Sequence, residues 1–396
     1  MRKISMLAII VGILCFCGES WSQPLRVGAI VNLTGPISSW GVYHAKGLQD
    51  YIRYVNEVKG GVAGRKIDLI VVDHAYKIPE GLKFVKKFCE EKKDMIITWD
   101  TGLGIQAKPI IQEYRIPTLN MSSGKEVVNP PNEYMYLSIA TYDLDCYAIM
   151  EYIRTIHKGK EAPRVGLLTL TTAYGKTVQA PGRDAAIKNN VNLIGIEEIP
   201  PQTVDLGTEL LRFKEKNAEY IFTQILGANM ISAFKAANRL NYNPPFIGTW
   251  TATDADFFPM AKGLMGDRLK MQFFGCLPQD NTPGSKLIED LINRYKSVTR
   301  YDISYWVGVL MGMTVERAMH RASGLYGKIE PETINKALET FKNEDFGGIV
   351  PYLTFTKDHH SGPFVARITQ VNEDGTFTPL TNFFVPGKGE IRILKK

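Results

Sequence analysis

Cysteine is scarce in this chain of 396 residues, with five in all, and two of these, Cys15 and Cys17, fall in an apolar N-terminal stretch. The other three, Cys89, Cys146 and Cys276, are an odd number and too sparse to staple so long a chain, which excludes a disulfide framework. They are expected as buried small hydrophobes, with a single bridge between some pair left open. Long apolar runs are also missing: beyond the N-terminus no stretch stays apolar for the roughly 20 residues a bilayer requires without a charge, Gly or Pro. Charge of one sign is not concentrated either. The chain carries 47 basic and 41 acidic residues, a formal +6, and no block of five like charges, so the footprint of a nucleic-acid partner is absent. Nucleophile chemistry has no template. There is no G-x-S-x-G elbow, and His44 and His74 have no neighbouring Ser or Cys arranged with an acid. Asp358-His359-His360 resembles a metal patch, but adjacent histidines on a strand face opposite ways and no third ligand is suitably spaced, so a polar turn without metal is expected.

The N-terminus holds a positive signal. Arg2 and Lys3 precede an apolar run from Met6 to Cys17, and Ser20-Trp21-Ser22 follows, which are the three regions of a secretory signal; cleavage is expected after Ser22. Lipid attachment at Cys15 or Cys17 needs small residues just before the cysteine, whereas Leu14 and Phe16 stand there, so no lipid anchor is expected. Loss of Arg2, Lys3 and Glu19 lowers the formal charge from +6 to +5. The C-terminal Ile391-Arg392-Ile393-Leu394-Lys395-Lys396 leads into no membrane helix, which disfavours a receptor ectodomain. Asn32-Leu33-Thr34 and Asn120-Met121-Ser122 are glycosylation sequons only in a eukaryotic host, which is not expected.

About 370 residues then remain, more than one core usually supports, and two lobes are expected. Short runs rich in Val, Ile and Leu, namely Leu25 to Val31, Lys66 to Val72, Met95 to Thr98, Val165 to Leu170, Val191 to Ile196 and Tyr220 to Gln224, have the composition of strands covered on both faces. Between them, Ala45 to Val58, Gly81 to Cys89, Leu206 to Asn217 and Met230 to Leu240 carry apolar residues at helical spacing. This alternation predicts an α/β protein with parallel, doubly wound sheets. It occurs twice, before about Ser138 and after about Val165. Further on, Tyr305 to His320 predicts a buried helix, Pro331 to Lys342 an amphipathic one, and Tyr352 to Val371 an alternating strand pattern broken at Gly362-Pro363.

The opening VGAIVNLTGPISSWGVYHAKGLQDYIRYVNEVKGGVAGRKIDLIVVD resembles the first lobe of the leucine/isoleucine/valine-binding family of periplasmic solute-binding proteins: a strand, a Thr-Gly-Pro turn, Gly41, a helix with Gly47, Gly60-Gly61 and a second strand ending in Asp73. Tyr174-Gly175 after a strand, Ile247-Gly248-Thr249 at the end of another and the Tyr305 helix keep the family's order over some 300 residues. The resemblance implies a type I periplasmic-binding fold: two doubly wound lobes joined by a hinge of three chain crossings, near Tyr142, Leu277 and Tyr352. Lobe 1 would comprise residues 23–141 and 277–351, and lobe 2 residues 142–276 and 352–396. It further implies a periplasmic, non-enzymatic binding protein that delivers a small molecule to the permease and ATPase of an ABC transporter, with a ligand-sensing receptor of the same fold as the alternative. No cofactor is expected. Gly102-Leu103-Gly104-Ile105-Gln106-Ala107 imitates a dinucleotide fingerprint, yet such a fingerprint normally follows the first strand, and an exported protein has little access to that cofactor.

In such a fold the candidate site residues are the loops just after strands. Trp40 matches a cleft aromatic of the family, and a ring gives large contact area at little entropic cost. Trp99, Asp100, Thr101, Gly102 and Gly104 open a helix whose free N–H groups suit a ligand carboxylate; the family has a serine where Gly104 stands, which leaves Thr101 as the nearest hydroxyl. Ser122 and Ser123 form the matching clamp, or simply turn a loop. From the second lobe, Tyr174 matches a family tyrosine that closes on the ligand, and Leu226 falls where some members carry an aromatic. Trp250 replaces the glutamate that holds the ammonium in binders of aliphatic amino acids. Either Asp254 or Asp100 substitutes for that glutamate, or Trp40, Trp99, Tyr174 and Trp250 form an aromatic-walled cleft for an aromatic or apolar carboxylate or an alkylated ammonium.

Overall fold

The computed structural model describes residues 23–130, 133–254 and 256–394, so the export signal expected over residues 1–22 lies outside it. The chain opens with β1 (Leu25–Val31), α1 (Ser38–Glu57), β2 (Ile67–Asp73), α2 (Ile78–Glu90), β3 (Met95–Thr98), α3 (Thr101–Tyr114), β4 (Thr118–Asn120) and β5 (Met135–Tyr136). The middle comprises α4 (Tyr142–Ile156), β6 (Arg164–Leu170), α5 (Ala173–Lys176), α6 (Gln179–Lys188), β7 (Asn192–Ile199), α7 (Gly207–Glu215), β8 (Tyr220–Gln224), α8 (Gly227–Arg239), β9 (Phe246–Gly248), α9 (Phe257–Ala261) and β10 (Leu269–Phe273). The last part holds α10 (Pro283–Tyr295), α11 (Ile303–Tyr326), α12 (Pro331–Leu338), β11 (Arg367–Val371) and β12 (Phe377–Pro379).

Two sheets result, in the orders β2-β1-β3-β4-β5 and β12-β11-β10-β9-β8-β6-β7. The first is parallel throughout. Its central strand β1 is buried at every position but Arg26, which is why its sequence reads as a continuous apolar run. The second sheet is parallel from β7 to β10, but β11 and β12 add to it antiparallel, a departure from a purely parallel sheet. The cause is local. The residues Asn372 to Gly375 make a tight turn, with Gly375 at φ +85°, and a hairpin must return antiparallel. Of the alternating pattern over Tyr352 to Val371 only Arg367–Val371 becomes a strand. The preceding residues make isolated bridges, such as Thr356 with His359 and Ala366 with Phe384. Lys357 and Asp358 make the expected polar turn between the bridged Thr356 and His359, and His360 beyond it is buried, stacked on Tyr136 at 4.1 Å.

Helix α11 packs along α1, and the two backbones touch. A Cβ on Gly47 would lie 2.0 Å from the carbonyl oxygen of Tyr305, and one on Gly308 would lie 2.1 Å from that of His44. Glycine is thus required on both helices by close approach. Asp302 caps α11, accepting from the Tyr305 N–H at 3.0 Å, and Gly327 at φ +67° ends it. Cys89, Cys146 and Cys276 are all buried free thiols.

Candidate functional site

In each sheet the strand order reverses about one strand pair, β1 and β3 in the first, β6 and β8 in the second. Outside the carboxyl ends of strands at such a reversal the loops diverge and leave a crevice. Here the two crevices face one another and share one cavity of about 30 Å³. From the first sheet it is lined by Ile37 and Trp40 after β1, Tyr76 after β2, Trp99, Asp100 and Thr101 after β3, and Met121 and Ser122 after β4. From the second come Tyr174 after β6, Leu226 after β8 and Thr251 after β9, with Tyr142 from the head of α4.

Each loop is held from beneath. Asp73 ends β2 and fixes the neighbouring turn, accepting from the N–H groups of Leu33 and Ala75 at 2.8 Å and from the Thr34 hydroxyl at 2.6 Å. Those bonds hold its carboxyl below the usual range despite burial. The chain then passes through Ala75 and Tyr76, both left-handed at φ +51° and +58°, and this turns the Tyr76 ring against Trp99, 6.3 Å away and edge-on. Asn120 spans β4 to β3, donating to the Thr98 hydroxyl at 2.7 Å and to the Asp100 carbonyl at 3.2 Å. Its amide also explains Gly104: a Cβ there would lie 2.5 Å from Asn120 Nδ2, so no serine fits.

The hydroxyls form two sets. The Thr101 and Ser122 hydroxyls are bonded to each other on the first side. On the second, the Tyr174 hydroxyl meets that of Thr251, which lies 3.0 Å from Thr249 Oγ1, itself donating to Gln224 at 2.6 Å. Among the described residues Asp100 is the only carboxylate of the lining, and no Lys, Arg or His joins it. One of its oxygens, Oδ1, caps α3 through the Leu103 N–H at 2.7 Å. The other, Oδ2, lies 3.4 Å from His74 Nε2. Burial pushes the Asp100 carboxyl up to about 6, and burial pushes the His74 imidazole down to about 4, so near neutral pH the carboxylate faces an uncharged ring.

Seven of the residues singled out in the sequence fall on the lining: Trp40, Trp99, Asp100, Thr101, Ser122, Tyr174 and Leu226. Gly102 and Gly104 lie within α3, and Ser123 is fully buried beside the lining with its hydroxyl unpartnered among the described residues. Trp250 stands behind the wall, its edge 5.4 Å from Trp40 and its face stacked on Tyr142 at 6.3 Å. Asp254 is placed elsewhere, accepting from Ser39 Oγ at 3.0 Å and from the N–H groups of Asp256 and Phe257 at 3.0 and 2.9 Å. Ile37, Tyr76, Met121, Tyr142 and Thr251 were not singled out; Tyr76 sits in a loop after a strand, the same signal that marked the others.

A family model described as periplasmic binding protein matches residues 24–376. Leu/Ile/Val-binding protein homolog 7 of Brucella suis is 20% identical over 235 residues, 57% of this chain, and the match spans 58% of that protein's length. The Leu/Ile/Val-binding protein of Escherichia coli K12 is 19% identical over 288 residues, 72% of this chain and 76% of that protein. Among solved structures, a branched chain amino acid ABC transporter protein from Thermus thermophilus, with bound valine, superposes with a TM-score of 0.84 at 25% identity, covering 92% of this chain and 97% of its own. A fatty acid ABC transporter substrate-binding protein from Thermomonospora curvata also reaches 0.84, at 16% identity, with 94% and 95% covered. The fold is thereby that of type I periplasmic binding proteins.

Proposed function

The chain belongs to the periplasmic binding protein family, and from that premise we propose that it is the exported, non-enzymatic solute-binding component of an ABC uptake transporter, capturing a small carboxylate between its two sheets. The observation that carries this reading is the shared cavity at the two facing strand reversals. Among the described residues no helix is long and apolar enough to cross a membrane. We take residues 1–22 as a cleaved signal, residues 23–141 and 277–351 as the first lobe, residues 142–276 and 352–396 as the second, and the permease and ATPase as partners.

The lining supports a ligand with a compact polar head and an apolar body. Five aromatic side chains, Trp40, Tyr76, Trp99, Tyr142 and Tyr174, surround it. The head of α3 and the Thr101 and Ser122 hydroxyls supply donors for a carboxylate. An amino acid and an aromatic or apolar acid are both members of this class, and valine is bound by the Thermus relative. A cavity of about 30 Å³ takes a water or two, whereas an aromatic ring needs about 150 Å³, so binding requires the lobes to part and close again.

A thermal-shift screen of the purified protein against amino acids, aromatic acids, short aliphatic acids, amides and quaternary amines tests this reading, since a ligand of the folded state raises its stability. A shift with carboxylates supports it. Shifts confined to quaternary amines, or none in any class, count against it.

A further inference from the structure

Resting on the carboxylate reading above, the geometry points to a role for Asp100 that composition does not reveal: we propose that Asp100 couples ligand capture to protonation, so that a ligand carboxylate enters only as one proton from solvent adds to Asp100 Oδ2. The charge balances across the step. Before binding the cavity holds one negative charge, on Asp100; afterwards it holds one, on the ligand, with Asp100 neutral.

Asp100 is 4% exposed and forms part of the wall. Its Oδ1 already takes the Leu103 N–H, so the first turn of α3 is partly occupied by the protein's own carboxylate. Its Oδ2 is buried and has no hydrogen-bond donor at normal distance among the described residues, only His74 Nε2 at 3.4 Å. The hydroxyls that can serve a ligand carboxylate on this side belong to Thr101, next to Asp100 in the chain, and to Ser122, bonded to Thr101. Among the described residues no cation lines the cavity to offset a second negative charge. Two carboxylates sharing a site without a cation cannot both stay ionised; one takes up a proton.

The groups around the pair do not supply the missing charge. His74 is held neutral by burial, against the pull of adjacent Asp73. Tyr76, Tyr142 and Tyr174 are pushed above the usual phenol range by burial and stay uncharged. From α2, Ile78 lies against Gly102 and Gly81 against Leu103, and neither carries a charge. Lys108, further along α3, is turned to the Asn129 carbonyl at 2.8 Å. Asp145, beside Tyr142 and Tyr174, is fully buried, and burial raises its carboxyl well above the usual range, so it adds no charge of either sign; Glu126, beyond Gly124, brings no cation.

Isothermal titration of the purified protein with benzoate, between about pH 5.5 and 8.5 and in buffers of differing ionisation heat, tests the coupling. The expected result is an affinity that falls about tenfold per pH unit above the Asp100 midpoint, with uptake approaching one proton per benzoate. In Asp100→Asn, where the amide keeps a cap, affinity is expected to be flat with pH and no proton to be taken up. Benzoate binding with no slope and no proton uptake in the wild type overturns the proposal and leaves the carboxylate reading standing. Failure of benzoate, phenylacetate and L-valine to bind either protein at any pH overturns both. L-Valine affinity that rises with pH through the same window also overturns the proposal, because Asp100 then receives the ligand's ammonium as an anion.

Discussion

Asp100→Asn should stabilise the ligand-free protein, and only on the alkaline side. In the folded state burial raises this carboxyl to about 6, against about 3.9 in an unfolded chain. Between those values the native state binds more protons than the unfolded one, so stability falls as pH climbs through the window and the whole cost is present above it. Two pH units at about 1.4 kcal/mol each give about 3 kcal/mol. Asparagine cannot ionise and is as good a helix cap as aspartate, so the bond from Leu103 survives. The variant is therefore expected to exceed the wild type by about 3 kcal/mol at pH 8 and to match it near pH 3.5. For about 370 residues, an unfolding entropy of about 2 cal/mol/K per residue turns that into a rise of about 4 °C in Tm. His74, lowered to about 4, acts in the opposite sense, and at pH 8 it is uncharged in both proteins. Calorimetric melts of the pair at both pH values provide the measurement. A difference in Tm that is the same at pH 8 as near pH 3.5, or a variant that is the less stable protein at pH 8, would mean that burial does not raise the Asp100 carboxyl.

Gly308→Ala is expected to destabilise by about 1–3 kcal/mol or more, because its Cβ would press on the backbone of His44 and Leu48 at 2.1 and 2.7 Å; Gly324→Ala in the same helix, with nothing within 4 Å, should instead gain up to about 1 kcal/mol, and urea midpoints distinguish them. Arg367→Met is expected to lose about 3–5 kcal/mol by leaving Asp280 without its bidentate partner, 2.5 and 3.0 Å away. Adding Asp280→Asn should recover most of that loss, as a double-mutant cycle would show. Trp40→Ala removes a ring 1% exposed, should lower stability by about 3–5 kcal/mol, and should weaken benzoate binding beyond detection by titration; unchanged affinity would remove Trp40 from the site.

Much of the fold was legible because strands buried on both faces leave continuous apolar runs, and these fell at β1, β3, β6 and β8. The short strands β5 and β9, three residues or fewer, leave no such run. The helices α4 and α10 were not singled out, although α10 has a threonine cap, Thr282, followed by Pro283. The rule that loops after strands carry the site reached Trp40, Asp100, Thr101 and Tyr174. It could not decide which neighbour faces in. Trp250 and Thr251 are consecutive, yet Thr251 lines the cavity and Trp250 packs behind Trp40. In an irregular loop no period fixes that parity, and only the position of Tyr142, stacked on the Trp250 face, does so. Tyr76 depends on two consecutive left-handed residues, Ala75 and Tyr76, neither of them glycine or asparagine, so nothing in the residue types announces the turn.

The two acids that stood as substitutes for a missing glutamate differ in a way that decides what each can do. Both are buried, and burial raises both carboxyls. Asp254 has its oxygens taken by Ser39, Asp256 and Phe257, three donors that fasten the head of α9 and join it to α1. A carboxylate so supplied is stabilised as an anion and has little left to offer a ligand. Asp100, itself in the cavity wall, spends one oxygen on α3 and turns the other toward the neutral imidazole of His74. An acid half supplied with donors, in a wall whose described residues hold no cation, has a protonation state that the next charge to arrive will set. That is why the sign of the pH dependence, rather than the affinity alone, reads out which end of a ligand meets this wall.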